Sequence, residues 1–183
     1  MHKKSKIIAF LSLVLMSAAF ARNPEQTTNN AGGKWAYKVS EDKLTGAQFG
    51  IFELTADEPM TEGIRSGFPL FTIMCGGGNS PKWVNSKLLS PVVLGRPDIS
   101  SAFDVPQQIV RLRADNKIKV HAWNIAEDFR TLFVDKGATR EFLNSKDARI
   151  QFRDVSEHVQ VAIFSPGEIN RDMVNKACGN AFK

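Results

Sequence analysis

The chain is poor in the side chains that most enzyme chemistry needs. Its 183 residues include three histidines and two cysteines. His2 falls among the first few residues, leaving His121 and His158, and neither lies in a recognisable cysteine-protease pattern with Cys75 or Cys178. The two histidines stand 37 residues apart with no acidic ligand in register beside both, which is no zinc signature. Asp42, Asp57, Glu58 and Glu62 lack the regular spacing of a calcium loop. No G-x-S-x-G elbow occurs, and Ser80, Ser86 and Ser100 stand in turn-like contexts. No catalytic residue, metal or cofactor is therefore assigned. Carboxylates distant in sequence can still meet in space, as in glycosidases, so catalysis from separate loops stays open.

Long apolar runs are scarce too. One stretch of 14 residues, "IIAFLSLVLMSAAF", follows the basic "MHKKSK" and ends at Ala19-Phe20-Ala21. Basic segment, apolar run and small residues make the three-part plan of a secretory signal peptide over residues 1–21, with cleavage expected after Ala21. The run falls short of the roughly 20 residues that span a bilayer, so no transmembrane anchor is expected after cleavage. No cysteine stands at the cleavage site to take a lipid. The expected product is soluble and periplasmic or secreted.

An excess of positive charge is also largely missing from the expected mature chain. The full sequence has 24 Lys and Arg against 19 Asp and Glu, a net of +5. Lys3, Lys4 and Lys6 leave with the signal, which gives 21 against 19, or +2. The pI of 9.3 thus owes much to the signal, and nucleic acid is not an expected partner. No internal repeat occurs, and the remaining residues suit a single domain. Residues 22–33, "RNPEQTTNNAGG", lack periodicity and read as a flexible leader, with order expected from Lys34 through residue 183.

What is present is alternation of period two. "KWAYKV" puts Trp35, Tyr37 and Val39 on one face, and "PLFTIMC" does the same for Phe71, Ile73 and Cys75. "AQFGIFEL" sets Phe52 and Leu54 opposite Phe49 and Ile51. "KIKVHAW" sets Ile118, Val120 and Ala122 opposite Lys117, Lys119, His121 and Trp123. "ARIQFRD" and "HVQVAIFS" alternate likewise. Such segments between Gly, Pro and Asn turns predict an α+β, mainly β fold, an antiparallel sheet or sandwich. A short helix is expected in "GATREFLNSK". A second is expected from Ser165-Pro166-Gly167-Glu168, which carries the marks of a capping box, to a C-cap at Gly179.

Gly76-Gly77-Gly78 leads into Asn79, Ser80, Pro81 and a strand-like segment, so it reads as a reversal between strands and not as a phosphate cradle. Cys75 then ends a strand and Cys178 lies on the apolar face of the last helix. An even count in an oxidising compartment leaves one intramolecular pairing, a disulfide tethering the C-terminal helix to the sheet.

The candidate binding residues are basic. Arg111, Arg113, Lys117, Lys119, Arg149 and Arg153 fall on polar strand faces. If those strands are neighbours, Arg111, Arg113 and Lys119 form a binding face with His121 and Trp123 beside it, suited to an acidic envelope protein or an anionic envelope polymer. The plain alternative is a solvated face of basic residues.

Several landmarks occur in a familiar order: "KWAYKVSEDKLTG", the strand ending in Cys75, "IVRLRADNKIKVHAW", "FRTLFVDKGATREFLNSKDARIQF" and "VAIFSPGEINRDMVNKACG". Together they resemble a broad group of small exported bacterial proteins, similar in outline to type VI secretion accessory proteins of the TagO/VasI kind. The resemblance implies a β-rich envelope protein with a cross-fold disulfide and carries over no catalytic residues. The expected role is a non-enzymatic exported accessory or binding protein. The alternatives are a cell-envelope hydrolase and a secreted protein acting outside the producing cell.

Overall fold

The computed structural model describes residues 29–30, 34–41, 43–44, 46–76, 83–100, 104–167, 169–179 and 181–182. The expected signal peptide, most of the expected leader, the expected reversal over 77–82 and Glu168 lie outside the described residues. Within the stretch read as a leader, Asn29–Asn30 forms a short strand, β1, paired with Ala36 and Tyr37 of β2 (Trp35–Glu41).

The first half of the fold is an antiparallel run. β2 pairs β3 (Gln48–Thr55), β3 pairs β6 (Leu70–Gly76), and β6 pairs β7 (Trp83–Leu89). A separate hairpin, β4 (Met60–Glu62) with β5 (Arg65–Gly67), interrupts it. The second half holds β9 (Pro106–Ala114), β10 (Lys117–Ile125), β11 (Thr131–Val134), β12 (Ala148–Arg153) and β13 (Val159–Phe164). Short β8 (Ile99–Ser100) pairs with the start of β9. β11 pairs β7 and joins the halves into one antiparallel sheet, ordered β1-β2-β3-β6-β7-β11-β10-β9-β12-β13.

The sheet folds face to face on itself. β6 and β13 stand six places apart in that order, yet the rings of Phe71 and Phe164 lie 6.2 Å apart. Helix α1 (Lys136–Asn144) fills the space between the halves. Its Phe142 stacks on Phe71 at 3.9 Å and meets the edges of Phe164 and Trp35. Clustered aromatic rings of this kind add to the burial of apolar area. The architecture is the expected mainly β sandwich with helices.

Helix α2 (Arg171–Cys178) packs on β3 and β6. It comes so close that a Cβ at Gly50 would stand 2.9 Å from the Tyr37 ring and 3.3 Å from the Ala177 Cβ. The Cys75–Cys178 disulfide ties it down, with Cα atoms 4.9 Å apart. Gly179, at φ 63°, ends the helix as expected.

Two local expectations are corrected. α2 begins at Arg171, not at the Ser-Pro-Gly-Glu box, and its N-cap is Asn170, whose side chain accepts from the amides of Asp172 and Met173. Ser165 instead donates to Asp57 at 2.8 Å, and the Pro166 carbonyl accepts the Trp35 indole N–H at 3.0 Å. In β10 the faces are reversed. Trp123 is 1% exposed and Ile125 is buried with it, whereas Ile118 and Val120 are 66% and 62% exposed. The register explains this. Trp123 pairs with buried Gln108 and His121 with buried Val110, so the odd-numbered residues of β10 share the inner face.

Candidate functional site

The reversal divides the expected binding residues between two surfaces. Arg111 and Arg113 lie on the outer face of β9. Lys119, His121 and Trp123 lie on the inner side of β10, against α1.

On the outer face the pairing brings side chains into rows across four strands. One row runs Ile118, Arg113, Arg149, Ile163, and the next runs Val120, Arg111, Gln151, Val161. Cationic and β-branched side chains therefore alternate on one surface. Two shallow depressions of about 500 and 320 Å³ lie along it, and Arg111 lines both. Most of its arginines are paired. Arg113 bonds Asp147 at 2.7 Å, Arg149 lies 3.6 Å from the same carboxylate, and Arg153 meets Asp98 at 2.5 Å and Glu157 at 3.3 Å. Arg111, exposed and central, has no ion pair among the described residues.

On the inner side, Lys119 ion-pairs with Glu141 of α1. His121 Nδ1 and the Trp123 indole N–H both meet Asp135 Oδ2, at 3.0 and 3.1 Å. Asp135 is also the N-cap of α1, its Oδ1 accepting the Ala138 amide at 2.8 Å. Burial pushes the Asp135 carboxyl up. The Ala138 amide, the Trp123 indole and His121 outweigh burial and hold it below the ordinary carboxylate value. His121 Nε2 is buried and has no hydrogen-bond partner among the described residues. The cluster joins β10 to α1 through one carboxylate. Asp135 was legible only as a residue ahead of the helix, since nothing in the sequence shows that two side chains of β10 converge on it.

His158 is exposed in the β12–β13 hairpin beside buried Asp154. Burial raises the Asp154 carboxyl, but Gln160 and the amides of His158 and Ser156 outweigh it and hold the group ionised. Asp154 thereby organises the hairpin turn. Cys75 and Cys178 are joined, so neither offers a thiol. Among the described residues no three His, Cys, Asp or Glu side chains gather as a metal site, and no helix is long and apolar enough to cross a membrane.

The sequence reading missed Ile118, Val120, Val159 and Val161 as surface residues. Their signal is that each falls beside arginine or glutamine once register is known, which a single strand's alternation does not reveal.

No family model matches the chain, and no curated protein is similar to it at a significant level. Among solved structures, it is similar to the crystal structure of invasion associated protein B from Bartonella henselae. The identity is 12%, the TM-score 0.50, and the match covers 82% of this chain and 93% of that one. At that identity the likeness concerns the fold alone.

Proposed function

We propose that the chain is a non-enzymatic, exported accessory or binding protein that holds an acidic partner against the outer face of β9, β10, β12 and β13. The observation that carries this reading is Arg111, an exposed cation without an ion pair among the described residues, set among exposed valine and isoleucine side chains. A carboxylate reaching Arg111 makes charge-assisted hydrogen bonds, and the flanking apolar groups exclude water around it. The envelope setting is part of the proposal. The disulfide supports it, because such bonds persist in oxidising compartments. The resemblance to type VI secretion accessory proteins favours another envelope protein as the partner.

The hydrolase alternative rests on His121. A carboxylate on Nδ1 leaves Nε2 free to act as a general base. Nε2 engages no hydroxyl or thiol among the described residues, however, and Asp135 is already occupied as a helix cap.

The test is binding of poly-L-glutamate to the full chain, followed by calorimetry at two salt concentrations. Arg111→Ala is expected to weaken binding by about tenfold, the loss of one charge-assisted hydrogen bond of about 1.5 kcal/mol, and to flatten the salt dependence. Arg140→Ala, on the exposed side of α1, serves as the control. Binding unchanged in both Arg111→Ala and Arg113→Ala would remove the face from consideration.

A further inference from the structure

β13 is the last strand in the sheet order among the described residues, so one of its sides faces no neighbouring strand. Which backbone groups lie on that side follows from the hairpin. The Asp154 amide donates to the His158 carbonyl at 3.0 Å, and the pairs then run Arg153 with Val159, Gln151 with Val161, and Arg149 with Ile163. Hydrogen-bonded and non-bonded pairs alternate in an antiparallel ladder. The backbone groups of Gln160 and Ala162 therefore bond β12, and those of Val159, Val161 and Ile163 point outward. One contact confirms the direction: the Ile163 carbonyl accepts the Asp57 amide at 2.7 Å from outside the hairpin. The N–H and C=O of Val159 and Val161 have no such partner among the described residues.

Exposed edges are ordinarily blunted by charge, proline or a bulge. β13 reads Val-Gln-Val-Ala-Ile-Phe, without charge or proline, and its Val159 and Val161 are 59% and 42% exposed. We propose that this edge accepts an extended acidic segment of a partner protein as an added strand. The inference rests on the binding-face reading and names the form the partner takes. Main-chain bonds to Val159 and Val161 hold the segment, and side-chain rows on the outer face select it.

Those rows specify its chemistry. A guest residue opposite Val161 lies in the row of Gln151 and Arg111, and one opposite Val159 lies in the row of Arg153, while the place beside Ile163 is taken by the Asp57 backbone. Arg153 is two strand spacings from that guest, about 10 Å between backbones. Two long side chains meeting between them bridge that gap. The segment therefore carries an apolar residue opposite Val161 and a glutamate opposite Val159, which in a strand antiparallel to β13 is the pattern Val-x-Glu. A second copy of this chain fits less well. Two-fold pairing about Val161 would ask each Ile163 carbonyl, already held by Asp57, to accept the other copy's Val159 amide, and would set like-charged arginine rows on one surface.

The experiment titrates the full chain into the labelled peptide Thr-Val-Thr-Glu-Thr, capped at both ends, and reads fluorescence anisotropy. Val161→Pro removes one outward N–H without costing a ladder bond, a substitution that sheet edges tolerate. It is expected to weaken binding at least tenfold. N-methylation of the peptide's valine removes the reciprocal bond and should do the same, independent of any effect on folding. Lysine in place of the glutamate should weaken binding. If neither Val161→Pro nor N-methylation changes an affinity that Arg111→Ala lowers, the face reading stands and the edge is not used. If all three leave it unchanged, the edge is not used, and poly-L-glutamate with Arg111→Ala and Arg113→Ala decides the face. Absence of peptide binding by the unmodified chain overturns the edge inference, and poly-L-glutamate still judges the face. A dimer of the free chain that Val161→Pro dissociates would assign the edge to a second copy.

Discussion

Trp123 and Ile118 belong to one strand and lie on opposite sides of it. Trp123 is enclosed by the folded sheet and tied to Asp135, whereas Ile118 lies beside Arg113 on the outside. Trp123→Ala is expected to cost about 3–5 kcal/mol, the range for removing a buried tryptophan. Part of that is Asp135 losing one of the donors that keep it ionised. Ile118→Ala and Val120→Ala should stay within about 0.5 kcal/mol of the parent, as exposed substitutions do. Urea midpoints at constant slope measure both, and equal losses at 118 and 123 would mean that the faces of β10 are misassigned. The sequence made the alternation of β10 legible but not its inward side. Both rows contain apolar residues, Ile118-Val120-Ala122 on one and Trp123-Ile125 on the other, and pairing with β9 decides between them. The same limit explains why Lys119 and Trp123 were grouped with Arg111, from which the sheet separates them.

At the scale of the element, α2 shows how a tertiary contact overrides a local pattern. Ser165-Pro166-Gly167 is a plausible helix start in isolation. In a helix beginning there, the Pro166 carbonyl would be directed along the helix axis to a later amide. It accepts the indole N–H of Trp35 at 3.0 Å, a buried donor that would otherwise be unsatisfied, and the Ile169 amide only at 3.4 Å, the spacing of a single tight turn and not of an α-helix. The chain turns once more, and Asn170 then supplies the cap. Asn170→Ala should therefore destabilise by about 1 kcal/mol through loss of two capped amides. Ser165→Ala should change helix content little, because its hydroxyl bonds Asp57 and no helix amide. Circular dichroism during thermal melting separates the two, and the reverse ranking would restore the earlier helix start. The far end was legible because Gly179 acts through its own backbone freedom, independent of any distant partner.

At the scale of the whole molecule, the disulfide was legible for a different reason: two cysteines allow one intramolecular pair, so counting replaced geometry. The bond joins residues 103 apart and spans from β6 to the last helix. Constraint of the unfolded chain by a loop of that size is worth about 4.7 kcal/mol on the chain-entropy view. In the folded state α2 has additional anchors, buried Val174 and the close seat over Gly50. These anchors remain after reduction, whereas the constraint on the unfolded chain disappears. The Cys75→Ser, Cys178→Ser double variant is therefore expected to keep the native circular dichroism while its unfolding free energy falls by about 3–5 kcal/mol. The variant's unfolded ensemble should expand, so its urea slope should rise along with the lower midpoint. A loss below about 1 kcal/mol would locate the tether's contribution elsewhere, with residual structure already holding the unfolded ends together. A loss of native dichroism would instead mean that Val174 and the Gly50 seat cannot hold α2 alone. The staple would then be a condition of the fold itself, and the protein would depend on an oxidising compartment for its structure.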